Sequence, residues 1–486
     1  MRVLLLNPPF FKSYSRSQRS PGVTKSGTVY YPYWLCYAAG ILDNSGHEVQ
    51  IIDAAPKNLT LDAIEGQICP HPDIIVLDTS TASMDNDLQT LGSLKQKFPA
   101  AFYVLVGSHV TALAQKILEH EPGINAIIRG EYDHALRDLV NARAGNRPWQ
   151  DIRGLSYIRD NSICHNPDYP YIENLDTLPL VSQQYKKFLD VRDYYFAAAD
   201  YPMIMIITGR GCPFKCFYCV YPQTVHGRAY RYRSPDNVVR EFKYIVDNFP
   251  DVKEVVIEDD TFTVHPKRVR DICELLLTQG IKIKWSCNAR AHLDLHTMQV
   301  MKKAGCRLLI AGYESGSQTL LDRMAKNLTL EQSLAFSKNA RKAGVLVHGC
   351  FMLGCPGETS ETIKQTYSFA KKLGCDSAQF YPLFVYPGTE AYTWAKQEGY
   401  LKTEDFSQWL DLDGRHRCVI DLPGLAGKDL TQISERLTLK YHTRIFFILY
   451  KFKQLFINPV EFLRTMRSGI KYFARLFVHV CLTRTQ

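Results

Sequence analysis

Thr208–Gln223 reads TGRGCPFKCFYCVYPQ. Its three cysteines, Cys212, Cys216 and Cys219, are separated by three and then two residues. The segment follows the apolar run MIMII, which places it in the loop after a strand. Thiolates suit zinc or an iron–sulfur cluster. Zinc ligands commonly come as two spaced pairs, and a closed site needs a fourth Cys or His. His226, seven residues beyond Cys219, is a nearby residue that could supply it. Three thiolates wrapped round one corner fit a [4Fe–4S] cluster better, with three irons held and the fourth open to an exogenous ligand. On spacing alone zinc stays as the alternative.

Outward from the triplet, residues 201–390 alternate strands and helices. The strands are MIMIITG, EVVIED, IKIKWSCNA, RLLIAGYES, VLVHGCFML and SAQFYPLFV. Helices begin near Ser234-Pro235, Pro266, Leu293, Ser317, Thr329 and Ser360; Ser234 followed by Pro235 is a good N-cap and N1 pair. Six strand–helix units in succession predict a partial (β/α)6 barrel with its chemistry at the C-terminal ends of the strands.

Residues 1–145 show the same alternation, with strands RVLLLNPP, HEVQIIDA, PDIIVLDTS, FYVLVGSH and INAIIRGE. Each ends in small or polar residues, the pattern of an open, doubly wound parallel sheet. Ligands in such sheets lie outside the carboxyl ends of the strands. No GxGxxG or GxxxxGK is present, so nucleotide binding by those loops is not supported. The apolar start MRVLLLNPPFFKS reads as a first strand and not a signal peptide. Residues 146–200, rich in Pro, Asp and Asn, read as a linker with a small hairpin. Residues 391–486 read as a helical cap followed by a basic amphipathic tail. The fold class is therefore α/β with a helical C-terminal region.

Composition narrows the class. The chain has 486 residues and 14 cysteines, most of them single in apolar runs, which suits free thiols in a reducing cytoplasm. No stretch approaches the roughly 20 apolar residues of a membrane span. The net charge is +9. From Arg436 to the end there are ten Lys or Arg against one acid, Glu461, so the tail carries the whole surplus. A balanced body argues against a nucleic-acid partner. Cations among Phe, Tyr and Leu suit a membrane surface, with a core-covering helix as the alternative.

CPFKCFYC, with the aromatic Tyr218 before the last cysteine, resembles the radical S-adenosylmethionine (SAM) superfamily. The resemblance implies that the amino and carboxylate groups of SAM chelate the open iron. An electron from the cluster then cleaves SAM to methionine and a 5′-deoxyadenosyl radical, which abstracts a substrate hydrogen. It also implies an external electron donor such as flavodoxin or ferredoxin. On this basis Glu258, Asp259 and Asp260 in IEDDTF meet the SAM amino group, the alternative being a solvated acidic turn. Asn288 and Arg290 in SCNAR are candidates for the ribose hydroxyls or carboxylate, and Glu314 and Ser315 in GYESGS are further polar candidates. Gly354 in FMLGCPGET would let backbone approach the adenosyl group. Cys350 and Cys355 flank that strand end, and Cys355 is taken as the catalytic hydrogen donor, against the alternative of a small buried side chain. Arg228, Arg231 and Arg233 bind a phosphate or form a solvated loop.

An open α/β domain ahead of such a barrel is similar to the cobalamin-binding class, which includes methyltransferases and the anaerobic protoporphyrin cyclase type. Its DxHxxG motif is absent; GSHVTA, containing His109, is the nearest stretch. More narrowly, residues 1–390 resemble the hopanoid-biosynthesis-associated radical SAM proteins. That implies rearrangement or methylation of an unactivated carbon on a lipid- or glycan-like substrate. The enzyme would be cytoplasmic, lying against the inner membrane through its tail. A non-catalytic protein with structural zinc is the alternative from a different class.

Overall fold

The computed structural model describes residues 1–470 apart from 69, 122 and 468; the rest of the predicted tail, 471–486, lies outside the described residues. The first sheet contains β1 (Arg2–Asn7), β2 (Glu48–Asp53), β3 (Ile74–Asp78), β4 (Phe102–Val106), β5 (Ala126–Ile128), β6 (Leu155–Arg159) and β7 (Ser162–His165). Its order is β2-β1-β3-β4-β5-β6-β7. Strands β1 to β5 are parallel and are buried on both faces, which is why they read as continuous Val, Ile and Leu runs. The order reverses between β1 and β3, so a crevice opens at the ends of those strands. The hairpin expected inside a linker is β6–β7. It continues the first sheet instead, with Ile128 opposite Leu155, and so covers the edge that the three-residue β5 would expose.

The second sheet is built from β8 (Met203–Ile206), β11 (Glu254–Ile257), β12 (Lys284–Ala289), β13 (Cys306–Glu314), β14 (Leu346–Leu353) and β15 (Ser377–Pro382), all parallel and in sequential order. This is the six-stranded partial barrel. A two-residue antiparallel pair, β9 (Gly209–Arg210) with β10 (Arg231–Tyr232), brackets the cysteine loop. Of the intervening helices, the one that starts at Pro235 is capped as its sequence predicts. Ser234 accepts from the Asn237 amide, and Thr329 and Thr359 each form a capping box.

A barrel that stops at six strands leaves two open edges, and side chains close both. On β8 and just beyond, the carbonyls of Met203, Met205 and Ile207 accept from the hydroxyls of Tyr31, Tyr185 and Tyr37, at 2.7, 3.0 and 3.0 Å. On β15, the Phe380 amide donates to Thr438 at 3.0 Å and the Ala378 amide to His442 at 3.4 Å, both on the helix Gly427–His442. Each capped group is one that a seventh and eighth strand would otherwise pair. The tyrosine edge also fuses the halves, because one apolar core runs from Leu5 and Val76 through Tyr37 and Tyr185 to Met205 and Trp285.

Candidate active site

The cluster loop leaves β9 at Arg210 and turns at Gly211, whose φ is +83°. A Cβ at Gly211 would stand 2.2 Å from the Ala229 carbonyl, so only glycine fits the turn. Cys212 and Cys216 are buried and Cys219 is partly exposed. Among the described residues no group of three His, Cys, Asp or Glu is drawn together enough to chelate a single ion. His226 does not complete a zinc site. Its Nδ1 lies 2.9 Å from Asp260 Oδ2, and its buried Nε2 has no partner. Arg290 stacks on Phe214 at 3.6 Å and reaches the Cys216 thiol. Burial pulls its guanidinium below the usual range, opposed by the neighbouring Cys216 and Cys212. Three thiols and one guanidinium at a strand end form a donor set suited to an anionic iron–sulfur centre.

At the end of β11 the three acids part company. Asp259 turns inward, where its carboxylate accepts from the Thr208 amide at 2.5 Å and the Thr208 hydroxyl at 2.7 Å. That carboxylate is used up in holding the strand end. Asp260 accepts from His226 and from the Gly211 amide at 3.1 Å, so it anchors the cluster loop. Burial opposes its charge, but His226 and Arg19 prevail and hold its carboxyl below the ordinary range. Glu258 is different. Its Oε1 receives Arg19 at 2.5 Å, while the buried Oε2 has no partner. A buried carboxylate oxygen awaiting a donor fits the ammonium of SAM. Asn288 lies beside it and donates to the Asp259 carbonyl at 3.2 Å.

Across the barrel, a register shift between Gly312 and Glu314 bends β13, and Glu314 adopts a φ of +62°. The bulge aims its carboxylate at Lys326 Nζ (2.6 Å) and the Tyr381 hydroxyl (3.1 Å). Lys326 also donates to the Tyr218 hydroxyl at 3.3 Å, which ties the residue before Cys219 to the far wall.

Three predicted residues are not brought into this arrangement. Ser315 is fully buried against Thr366, 3.1 Å away. A Cβ at Gly354 would meet Leu430, so the C-terminal cap already covers that glycine. Cys355 is fully buried with its sulfur 3.1 Å from that of Met324. Cys350 is the partly exposed thiol; burial, reinforced by Glu314, pushes it up to about 12. The arginines after the triplet form structure, not a free anion site. Arg231 binds Glu131 at 2.6 Å, Arg233 pairs with Glu241, and Arg228 donates to the Phe214 carbonyl.

A cleft lies at the ends of β3, β4 and β5. Its first-sheet wall includes Asp78, Thr79, Gly107, Gly130 and Tyr132, and its barrel wall Arg210, Tyr221, Val225 and His226. Four buried atoms on its lining have no hydrogen-bond partner: Arg16 Nε, Tyr132 OH, Arg210 Nε and His226 Nε2. The arginine and tyrosine groups among them are unsatisfied donors, which suit a ligand rich in amide carbonyls, as the periphery of a corrinoid is. His109 is not part of this lining: its Nδ1 lies 3.2 Å from Thr81 Oγ1, and burial lowers the imidazole to about 3. Arg16 and Arg19 gave no sequence signal. They come from the irregular segment after β1, and only the fold brings Arg19 over Glu258.

A parallel six-stranded barrel with an open-cornered cysteine triplet, facing an α/β domain across a donor-lined cleft, defines a class of radical enzymes that work with a corrinoid. Residues 206–370 match the radical SAM superfamily model and residues 19–140 the B12 binding domain model. An uncharacterised methyltransferase of Pyrococcus horikoshii is 30% identical over 446 residues, covering 91% of this chain and 93% of the relative. The anaerobic magnesium-protoporphyrin IX monomethyl ester cyclase of Rubrivivax gelatinosus is 28% identical, covering 81% and 69%. In fold, the radical SAM methyltransferase TsrM of Kitasatospora setae superposes with a TM-score of 0.67 at 17% identity, covering 89% of this chain and 88% of that one. The cobalamin-dependent radical enzyme OxsB does so at 0.64 and 18%, covering 91% and 61%. This chain belongs to the radical SAM superfamily, in the branch with a B12 binding domain, and is an enzyme of that class. The zinc-binding alternative is thereby set aside. The cofactors of the branch are a [4Fe–4S] cluster, SAM and cobalamin.

Proposed function

We propose that this enzyme methylates or rearranges an unactivated carbon of a lipid- or glycan-like molecule, with the sugar-derived head group of a hopanoid as the leading substrate. One observation carries the corrinoid-dependent part: the cluster loop is itself a wall of the corrinoid cleft. Arg210 stands two residues before Cys212, and Tyr221 two after Cys219; both line the cleft. A substrate carbon held at that wall would lie near both cofactors, as transfer between them requires.

In this reading Cys212, Cys216 and Cys219 hold the cluster. Glu258 accepts the SAM ammonium through its free oxygen, with Asn288 and Arg290 alongside, while Glu314, Lys326 and Tyr218 line the opposite wall. Arg16, Tyr132, Arg210 and His226 bind the corrinoid periphery. Bound together, the cofactors supply a carbon radical and a methyl group; the chain orients them and keeps water out. Cys350 is a better placed hydrogen donor than Cys355. A flavodoxin- or ferredoxin-type protein supplies electrons. The lipid substrate is favoured by the sequence resemblance and by the basic, aromatic-rich tail, a composition that suits the cytoplasmic face of a membrane.

The test is anaerobic reconstitution, then incubation with SAM, dithionite and a bacterial lipid extract, read by mass spectrometry. 5′-Deoxyadenosine with S-adenosylhomocysteine and a methylated lipid supports methyl transfer. 5′-Deoxyadenosine with a rearranged lipid and no S-adenosylhomocysteine supports rearrangement or cyclisation. If no 5′-deoxyadenosine forms in a protein loaded with iron and sulfide, the reading fails.

A further inference from the structure

The C-terminal helix Ile445–Ile457 is packed inside out. Its buried residues are Phe447, Lys451 and Gln454, and Lys451 donates to Gln454 at 2.9 Å. Facing solvent instead are Phe446, 81% exposed, and Phe456, 85% exposed, with Leu449, Phe452 and Ile457. Residues 459–467 continue as helix with the same inversion: Glu461 is buried while Leu463 and Met466 are exposed. Among the described residues, the only exposed large apolar side chains outside 445–470 are Tyr171, Tyr232, Val246, Leu277 and Leu412.

Polar bonds fix this orientation. Glu461 receives Arg307 at 2.8 Å and Arg464 at 3.1 Å. Arg307 also binds Glu254 at 2.8 Å, and Arg464 reaches the Ala197 carbonyl at 2.6 Å. Rotating the helices to hide their apolar side would take Glu461 away from buried Arg307 and break the bond from Arg464 to the Ala197 carbonyl. The outward apolar face is therefore a built feature. A contiguous exposed patch of this kind marks an interaction surface.

Charge selects what covers it. The chain from Arg436 onward carries a surplus of nine positive charges, so two copies meeting at this face would bring like-charged tails together. An anionic lipid surface offsets that charge and accepts the apolar side chains. No helix among the described residues is long and apolar enough to cross a membrane. We propose that residues 445–470 are a docking surface for a bilayer containing anionic lipid, with both helices lying in the interface plane. The proposal rests on the lipid-linked reading above and gives it a location, but it does not depend on the chemistry.

The test uses the full-length holoprotein floated with vesicles of phosphatidylcholine alone and with vesicles containing about one-third phosphatidylglycerol. Binding to the anionic vesicles is expected, weakening as salt is raised. The double variant F446E/F456E should bind at least about tenfold more weakly, and L412E, altered at an exposed apolar residue elsewhere, should bind as the wild type does. Binding to neither vesicle, equal binding to both, or undiminished binding of the double variant would overturn the proposal. So would a dimer, seen by light scattering, that F446E/F456E dissociates. SAM cleavage measured on the same samples separates the two claims. Docking without cleavage counts against the enzymatic reading alone, and cleavage without docking against this one.

Discussion

Replacing Asp78 by asparagine should stabilise the apoprotein, and the gain should depend on pH. Asp78 ends β3 at the cleft proposed for the corrinoid and is 6% exposed. Burial is the main cause that raises its carboxyl to about 7, with Arg16 pulling it down and Asp87 and Asp53 pushing it up. An acid whose folded pKa lies above its unfolded value holds protons that the unfolded chain has released. Its contribution is therefore fully present below about pH 4 and is lost as the pH rises to about 7. A rise of about 3 units corresponds to about 4 kcal/mol lost by pH 8. The buried amide keeps a cost of about 1–2 kcal/mol of its own, so D78N should gain about 2–3 kcal/mol at pH 8. Because m grows with chain length, in urea titrations this should raise the unfolding midpoint by about half a molar. Toward pH 4 the gain should vanish or reverse. A variant less stable at pH 8, or a difference that does not change between pH 4 and pH 8, would refute the reasoning.

Other perturbations test the site residue by residue. C216A should lose iron, sulfide and SAM cleavage together, whereas C355A should keep all three and cost about 1–2 kcal/mol in urea, as a small core truncation does. K326M removes the cation beside buried Glu314 and should destabilise by about 3 kcal/mol, with K326R recovering part of the loss. G107A sets a side chain at a φ of +124°, 2.4 Å from the Thr79 carbonyl. It should cost about 3 kcal/mol and reduce corrinoid uptake, read from the absorption of the reconstituted protein.

The strands were legible because a parallel sheet buries both faces of each strand, so runs such as IIVLD and FYVLV can hardly be anything else. The cysteine loop was legible because its chemistry lies in local spacing. Contacts between distant segments were not. IEDD holds three acids in a row, and nothing local tells that Asp259 turns to Thr208, Asp260 to His226, and Glu258 alone keeps a free oxygen. Arg19 meets Glu258 across 239 residues, a pairing that no local pattern carries. The C-terminal helix makes the same point. Periodicity gives which residues share a face, but which face turns inward is fixed by the bond of Glu461 to Arg307, 154 residues away in the chain.

The ion pairs that join the two halves bear on how the enzyme turns over. Arg210 binds Asp133 at 2.7 and 3.1 Å, with both side chains almost wholly out of water, and Arg231 binds Glu131 beside it. Swinging the halves apart like a clamshell would break both pairs together, so they tie the two halves into one unit. Exchange of spent nucleoside for fresh co-substrate is thus expected to leave both pairs closed.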